Sequence, residues 1–513
     1  MSEQNRKQND SGAAWERAAG VLMPIFSLPG KYGIGTLGRE ARKFADFLAG
    51  AGQKYWQILP VGPTGYGDSP YQSFSTFAGN PYFIDLETLT EEGLLRAEEC
   101  DSCNFGAEAQ RISYGALYTE RFSLLMRAYR RFQAAYDGVR GGTESLLAAG
   151  EEKNGTFLLT AAERRQYEDF LRDNGFWLPA YAEYRSRAMA LPTEFFLFEQ
   201  YEFRKQWSAL KAYVNALGIE IIGDIPIYVS LDSSDVRTDP RLFQLDENGE
   251  PKQVAGCPPD AFSRTGQLWG NPLYDWGYHR KTGYEWWIRR MRHCFSLYDI
   301  VRVDHFRGFD EYYAVPYPST DATGGHWEKG PGIELFRHLK RALGEGRRII
   351  AEDLGYVTDS VRKLVEESGY PGMKILEFAF DSREEADYRP VTWRENTVAY
   401  TGTHDNQTLR AWLLEISEED RRMAAAALQC SAVEMLHSDY VTAFLRMTLK
   451  ARSNTVIIPL QDYMGLGGEA RINTPSTLGG NWTYRFRSED FTAALQDRIA
   501  ELTKESGRWR EKS

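Results

Sequence analysis

Eight short apolar runs punctuate the chain, and most of them end in residues able to carry chemistry. In order they are Val21–Phe26, Tyr55–Val61, Ile219–Val229, Ile300–Phe306, Arg348–Leu354, Met373–Phe380, Thr397–Thr401 and Asn454–Asp462. Continuous apolar, β-branched stretches of this length read as strands buried on both faces. Amphipathic spacing predicts helices between them, over Arg39–Gly50, Tyr284–Tyr298, Glu334–Leu343, Ser360–Ser368 and Ser417–Gln429. Strands alternating with helices eight times over predict an α/β fold, a (β/α)8 TIM barrel.

Two connections are too long for a plain barrel. Residues 85–217 read as a helical insertion, in which Thr160-Ala-Ala-Glu163 is a capping box and Phe195–Leu217 keeps apolar residues at helical spacing. Residues 230–299 read as an insertion at the end of the barrel where active sites are built, opening with a loop rich in Pro, Gly and Trp. The whole is read as one barrel domain over 16–486, followed by a C-terminal helix and tail over 487–513. About 50 residues follow the last run, too few for a C-terminal β-sandwich, which needs about 100.

Composition narrows the function classes. The 513 residues carry 61 Lys and Arg against 72 Asp and Glu, a net charge of −11, which argues against nucleic acid or an anionic membrane as the main partner. No apolar run reaches the roughly 18 residues a membrane span needs, and no secretory h-region is visible, so a cytoplasmic location is expected. Five scattered cysteines argue against a disulfide framework, and Cys100-Asp-Ser-Cys103 reads as incidental. Gly33-Ile-Gly-Thr-Leu-Gly38 matches a dinucleotide fingerprint, but the next strand ends Leu59-Pro60-Val61, without the required acid. It is read as a loop turning into the first helix, and no cofactor is expected. Aromatic residues, 13 Trp, 29 Tyr and 27 Phe, are plentiful enough to supply sugar-stacking surfaces as well as core.

Strand ends in a barrel converge on one site. Here they carry Asp224, Arg302 and Asp304, Glu352 and Asp353, Asp381, His404 and Asp405, and Asp462. Side chains alternate along a strand, so Arg302 and Asp304 share a face. Arg302 is expected to pin Asp304, lower its pKa and keep it ionised, as a nucleophile requires. Glu352, at the next strand end, would face it. Such a pair, about 5–5.5 Å apart, is what retaining glycosidases use. Asp405, with His404 beside it, would grip sugar hydroxyls. Asp224 is open to two readings, a structural pairing with Arg302 or direct substrate contact. A metal site competes, but neither a His pair at ligand spacing nor an Asp-rich calcium loop is present, so none is expected.

Three segments, Arg302-Val-Asp-His-Phe-Arg-Gly308, Ala351-Glu-Asp-Leu-Gly355 and Thr403-His-Asp-Asn406, resemble signatures of the α-amylase superfamily. Gly62–Ser75 with Ala78-Gly-Asn-Pro81, Asp224–Val229 and Pro258–Pro272 are similar, more narrowly, to the 4-α-glucanotransferases (amylomaltase or disproportionating enzyme) of glycoside hydrolase family 77. The resemblance runs collinearly from about Val21 to Phe486. It implies that Asp304 is the nucleophile, Glu352 the general acid/base and Asp405 the transition-state stabiliser, supported by Arg302 and His404. It further implies that Tyr66 stacks beside the sugar at the cleavage point. Gln267 and Trp269 would lie on a loop overhanging the site, within the stretch Cys257–Trp276. Asp381 and Asn473 would contact neighbouring sugars. Tyr228 and Val229 stand where amylases place a histidine, which favours the transferase branch. The implied reaction moves α-1,4-glucan from maltooligosaccharide or amylose to glucose or another glucan. The rival readings are an α-1,4-glucan hydrolase with the same triad and a non-catalytic glucan-binding protein.

Overall fold

The computed structural model describes residues 15–140, 157–259, 263–355, 357–383 and 389–509, without the side chains of Tyr66, Val139 and Arg140. Among them are twelve strands. They are β1 Ala18–Leu22, β2 Tyr55–Gln57, β3 Glu220–Pro226, β4 Gln253–Cys257, β5 Gln267–Pro272, β6 Ile300–Asp304, β7 Glu311–Pro316, β8 His326–Lys329, β9 Arg348–Ala351, β10 Gly372–Ile375, β11 Thr397–Tyr400 and β12 Thr455–Pro459. Eight of them close into a parallel barrel in the order β1-β12-β11-β10-β9-β6-β3-β2. Each of the eight apolar runs contributes one barrel strand, so the predicted (β/α)8 class is what the chain forms. The runs overshoot the strands because the loops above them are buried too: Met23, Ile25, Ile58, Leu59 and Val61 are all under 4% exposed.

Alternation sorts the strand residues into two cores. Ile221, Val301, Ile349 and Val456 pack outward against the helices. Leu22, Tyr55, Ile222, Ile300, Ile350, Met373, Val398 and Ile457 form a separate cluster inside the barrel. Gly20 also points inward. A Cβ there would lie 2.5 Å from Tyr55 Cβ and 2.7 Å from Ile457 Cδ1, so the Tyr55 ring takes the space that any larger residue at position 20 would need. Two residues above Ile222, Ile300 and Ile350, on the same inward face, come Asp224, Arg302 and Glu352. The apolar interior therefore carries the polar residues upward as a continuation of the same register.

Helices fill the remaining surface. Arg39–Gly50 buries Ala41, Phe44, Ala45, Phe47 and Leu48 against the barrel. The Gly33–Gly38 loop that leads into it is packed rather than open. A Cβ at Gly35 would lie 2.0 Å from the Ile25 carbonyl oxygen, and one at Gly38 within 2.3 Å of the Asp85 carboxyl carbon. Between β2 and β3 the main helices are Tyr114–Arg140, Ala161–Asp173, Leu178–Met189 and Thr193–Ala216. Thr160 and Glu163 cap each other at the start of the second of these.

The stretch after β3 is more regular than the expected loop. β4 and β5, with β7 and β8 from the connection after β6, make a four-stranded antiparallel sheet in the order β5-β4-β7-β8. Its strands are short and rich in Gly and Pro, and a bulge between Val254 and Gly256 breaks the alternation that marks a strand in sequence. Among the described residues no helix is long and apolar enough to cross a membrane.

Candidate active site

The site is built where β3, β6 and β9 end together. Asp224 stands in register with Arg302, and Pro226 with Asp304. Val303 stands in register with Ala351, so the next residues, Asp304 and Glu352, are neighbours across the ladder. Backbone bonds carry that ladder past the strands: the Glu352 N–H donates to the Val303 carbonyl at 3.2 Å, and the Phe306 N–H to the Glu352 carbonyl at 2.9 Å. In-register residues on adjacent strands stand about 4.8 Å apart at the backbone.

Arg302 is the hub. Its Nη1 donates to both Asp224 oxygens at 2.8 and 2.7 Å, and its Nη2 pairs with Asp304 Oδ1 at 2.9 Å. Burial works against the guanidinium's charge, but Asp224 and Asp304 outweigh it and hold its pKa well above the ordinary value. Asp224 is 0% exposed, and its Oδ2 also accepts from the Tyr71 hydroxyl at 2.8 Å. Of its two readings, the structure realises the pairing with Arg302, and a carboxylate so enclosed has no surface for a sugar.

Asp304 and Glu352 differ in environment. Both Glu352 oxygens accept backbone N–H groups, from His305 at 2.7 Å and Leu354 at 2.8 Å, which fixes the plane of the carboxyl. Burial, reinforced by the neighbouring Asp304 charge, pushes the Glu352 carboxyl up to about 8. Arg302 pulls the Asp304 carboxyl down as expected, but the expected net lowering is corrected. Burial raises that carboxyl to about 6, Arg302 pulls against the rise, and Asp224 and Asp405 add to it. Arg302 bonds Asp304 directly, so the proton that the pair retains belongs on Glu352.

Asp405 reaches the same mouth from the loop after β11, with its side chain 45% exposed. Asn473 Nδ2 donates to its Oδ1 at 2.6 Å, and His404 Nε2 lies 3.4 Å from the same oxygen. The buried His404 ring stacks on Tyr71 at 5.1 Å and 15°. Tyr71 thereby ties the Asp224–Arg302 pair to the Asp405 loop. It was read in sequence only as part of a motif, since a tyrosine in a loop gives no periodic signal.

Other expected site residues fall as follows. Trp269 and Gln267 lie on β5 rather than on a loop, and Trp269 Nε1 donates to Gln267 Oε1 at 3.1 Å. The Trp269 ring meets edge-on, at 4.9 Å, the ring of His305, the residue that follows Asp304 in the chain. Tyr66 falls in a short turn, Tyr66–Asp68, and its side chain lies outside the described residues, as do residues 260–262 of the Pro258–Pro272 motif. Asp381 is ion-paired with Arg383, whose Nε donates at 2.7 Å and which holds its pKa low. None of its described contacts reaches Asp304, Glu352 or Asp405. Asp462 and Asp353 are drawn into the scaffold: Asp462 accepts from Thr401 and Leu409, Asp353 from the Met373 N–H. Glu377, buried inside an apparent strand run, approaches the site through Asn406 and carried no sequence signal. No group of three or more His, Cys, Asp or Glu among the described residues is arranged to hold a metal ion.

Comparison with known proteins gives consistent matches along the chain. A family profile described as 4-alpha-glucanotransferase matches residues 23–491. A 4-alpha-glucanotransferase of Clostridium butyricum is 45% identical over 496 residues, covering 95% of this chain and 100% of the relative. That of Thermus thermophilus is 42% identical, covering 91% of this chain and 94% of the relative. Among solved structures, an amylomaltase from Streptococcus agalactiae in complex with acarbose superposes with a TM-score of 0.87 at 36% identity, covering 96% of this chain and all of that one.

Proposed function

The chain belongs to the 4-alpha-glucanotransferase family, glycoside hydrolase family 77, and from that premise we propose a retaining double displacement on α-1,4-glucans. A segment of maltooligosaccharide or amylose is cut from its donor and passed to the 4-hydroxyl of glucose or of another glucan. The observation that carries the reading is the unequal carboxyl pair at neighbouring strand ends, one bonded to Arg302 and the other raised to about 8.

In the first step Glu352, protonated at neutral pH, gives its proton to the glycosidic oxygen. Asp304 attacks the anomeric carbon, and the C–O bond to the leaving 4-hydroxyl breaks. Arg302 holds Asp304 in line and offsets its charge in the free enzyme. Esterification removes that charge, and with it one of the two causes that raise Glu352. The acid of the first step thus becomes a better base for the second. Glu352 then takes the proton of the acceptor's 4-hydroxyl, whose oxygen attacks the anomeric carbon and frees Asp304. Both inversions occur at one carbon, so configuration is retained.

Asp405, held by Asn473 and His404, is placed to stabilise the oxocarbenium-like sugar. The aromatic wall of Trp269 and His305 gives the acceptor a surface beside Asp304 and excludes water. Burial keeps His305 neutral, with its pKa lowered to about 3. Incubation with maltotriose tests the reading. Transfer yields glucose plus longer oligomers with little rise in reducing ends; a large rise would identify a hydrolase instead.

A further inference from the structure

Asp405 is the most exposed of the three acids, yet transition-state stabilisation demands that it be the least free to wander. A displacement of about 1 Å at a catalytic group can cost about 100-fold in rate. The loop that carries it, Thr401 to Asn406, leaves β11 and is flanked by the ends of β10 and β12. Each flanking strand end supplies one buried acid.

On the β10 side, the Glu377 N–H donates to the Thr401 carbonyl at 3.2 Å. Its Oε2 accepts from Asn406 Nδ2 at 3.1 Å. Asn406 Oδ1 in turn accepts from the Thr403 N–H at 2.9 Å and the Thr403 hydroxyl at 2.8 Å. The Thr403 oxygen closes the chain by accepting the Asp405 N–H at 3.3 Å. Glu377 Oε1 has no hydrogen-bond partner among the described residues and is tucked under Gly402, where a Cβ would lie 2.8 Å from it. On the β12 side, Asp462 accepts from the Thr401 hydroxyl at 2.5 Å and the Leu409 N–H at 2.8 Å. Among the described residues, every hydrogen bond made by these two carboxyls goes to this one segment or to the helix it enters.

Both acids are costly to bury. Glu377 is 7% exposed and Asp462 1%. Among the described residues neither has a cation within ion-pairing distance. Burial pushes both carboxyls up, Asp462 to about 6 and Glu377 well above the ordinary glutamate value, and the groups facing Glu377 are Asp462, Asn406, Arg471 and Glu415.

We propose that Glu377 and Asp462 are positioning residues that brace the Asp405 loop from both sides and set the Asp405 carboxylate against the reacting sugar. The inference rests on the role given to Asp405 above. It is tested by kcat and KM for maltotriose disproportionation in Glu377→Gln and Glu377→Leu. Gln keeps the acceptor for Asn406 and should retain at least half of the wild-type kcat. Leu removes it and should lower kcat about 10- to 100-fold with KM within twofold. Asn406→Leu cuts the same bond from the half-buried side and should reproduce the loss, which covers the case in which Glu377→Leu fails to fold. Wild-type kcat in the Leu variants, or a Gln variant as impaired as Leu, would overturn the brace. Asp405→Asn separates the two claims: if it is inactive while the Leu variants are unimpaired, only the brace fails, and if it is fully active the role of Asp405 fails first.

Discussion

Removing the charge of Asp304 should release the proton that Glu352 holds. The two residues directly follow the in-register pair Val303 and Ala351 on adjacent strands, and Glu352 is 9% exposed, so little water screens one from the other. Unit charges about 5 Å apart at an effective dielectric of about 20 interact by roughly 3 kcal/mol, or about two pH units. The first cause of the raised Glu352 pKa is burial, which the variant leaves in place. Asp304→Asn should therefore bring Glu352 down from about 8 to roughly 6, not to an ordinary glutamate value. The assay is a ¹³C NMR titration of protein labelled at glutamate carboxyls, with the Glu352 resonance identified by its loss in Glu352→Gln. The Asn variant should be inactive, so turnover does not interfere. A wild-type Glu352 that titrates near 4, or one that does not move when Asp304 is neutralised, would refute the assignment of acid and nucleophile.

Other consequences follow from the same burial. The folded state holds the Glu352 proton up to pH of about 8, whereas the unfolded chain releases it near 4.5, so this residue's contribution to stability is lost as pH rises through that window. Glu352→Gln should therefore be more stable than wild type at pH 7 by about 2 kcal/mol. That is up to about 3 kcal/mol of relieved proton linkage, less about 1 for one backbone N–H left unpaired. Thermal melts should show its advantage shrinking towards pH 4.5 and growing towards pH 8; the opposite trend would contradict the raised pKa. Arg508 is 1% exposed and donates to the carbonyls of Ala18, Leu449, Ala451, Ser453 and Asn454, clamping the seam where β1 meets β12. Arg508→Met should destabilise the barrel by about 3–5 kcal/mol and lower Tm by several degrees, with kcat per folded molecule unchanged below the transition; an unshifted Tm would remove the clamp.

The barrel was legible because strands covered on both faces need apolar side chains at every position, and the change to polar residues marks where cover ends. Period-two alternation then placed Arg302, Asp304 and Glu352 on the inward face. What escaped were features set by neighbours distant in sequence. The β5-β4-β7-β8 sheet is assembled from two separate connections, and its short, bulged strands lack a clear period. Glu377 lies within Met373–Phe380, where an apolar run disguises a strand end, and its role depends on Asn406 from the next connection. Arg302 was correctly placed beside Asp304, but whether pairing or burial governs a carboxyl depends on how much water the fold removes. Asp381 looked available until Arg383, two residues on, was seen to hold it.

The most direct measurement traps the covalent intermediate. Maltosyl fluoride with its non-reducing 4-hydroxyl blocked cannot serve as an acceptor, and fluoride leaves without help from an acid. Glu352→Gln should therefore complete the first displacement and stall for lack of a base. Intact-mass and peptide analysis should find one maltosyl group on the peptide containing Asp304, and none when Asp304→Asn is added. An adduct on Glu352 or Asp405, or no adduct although fluoride is released, would contradict the double displacement through Asp304.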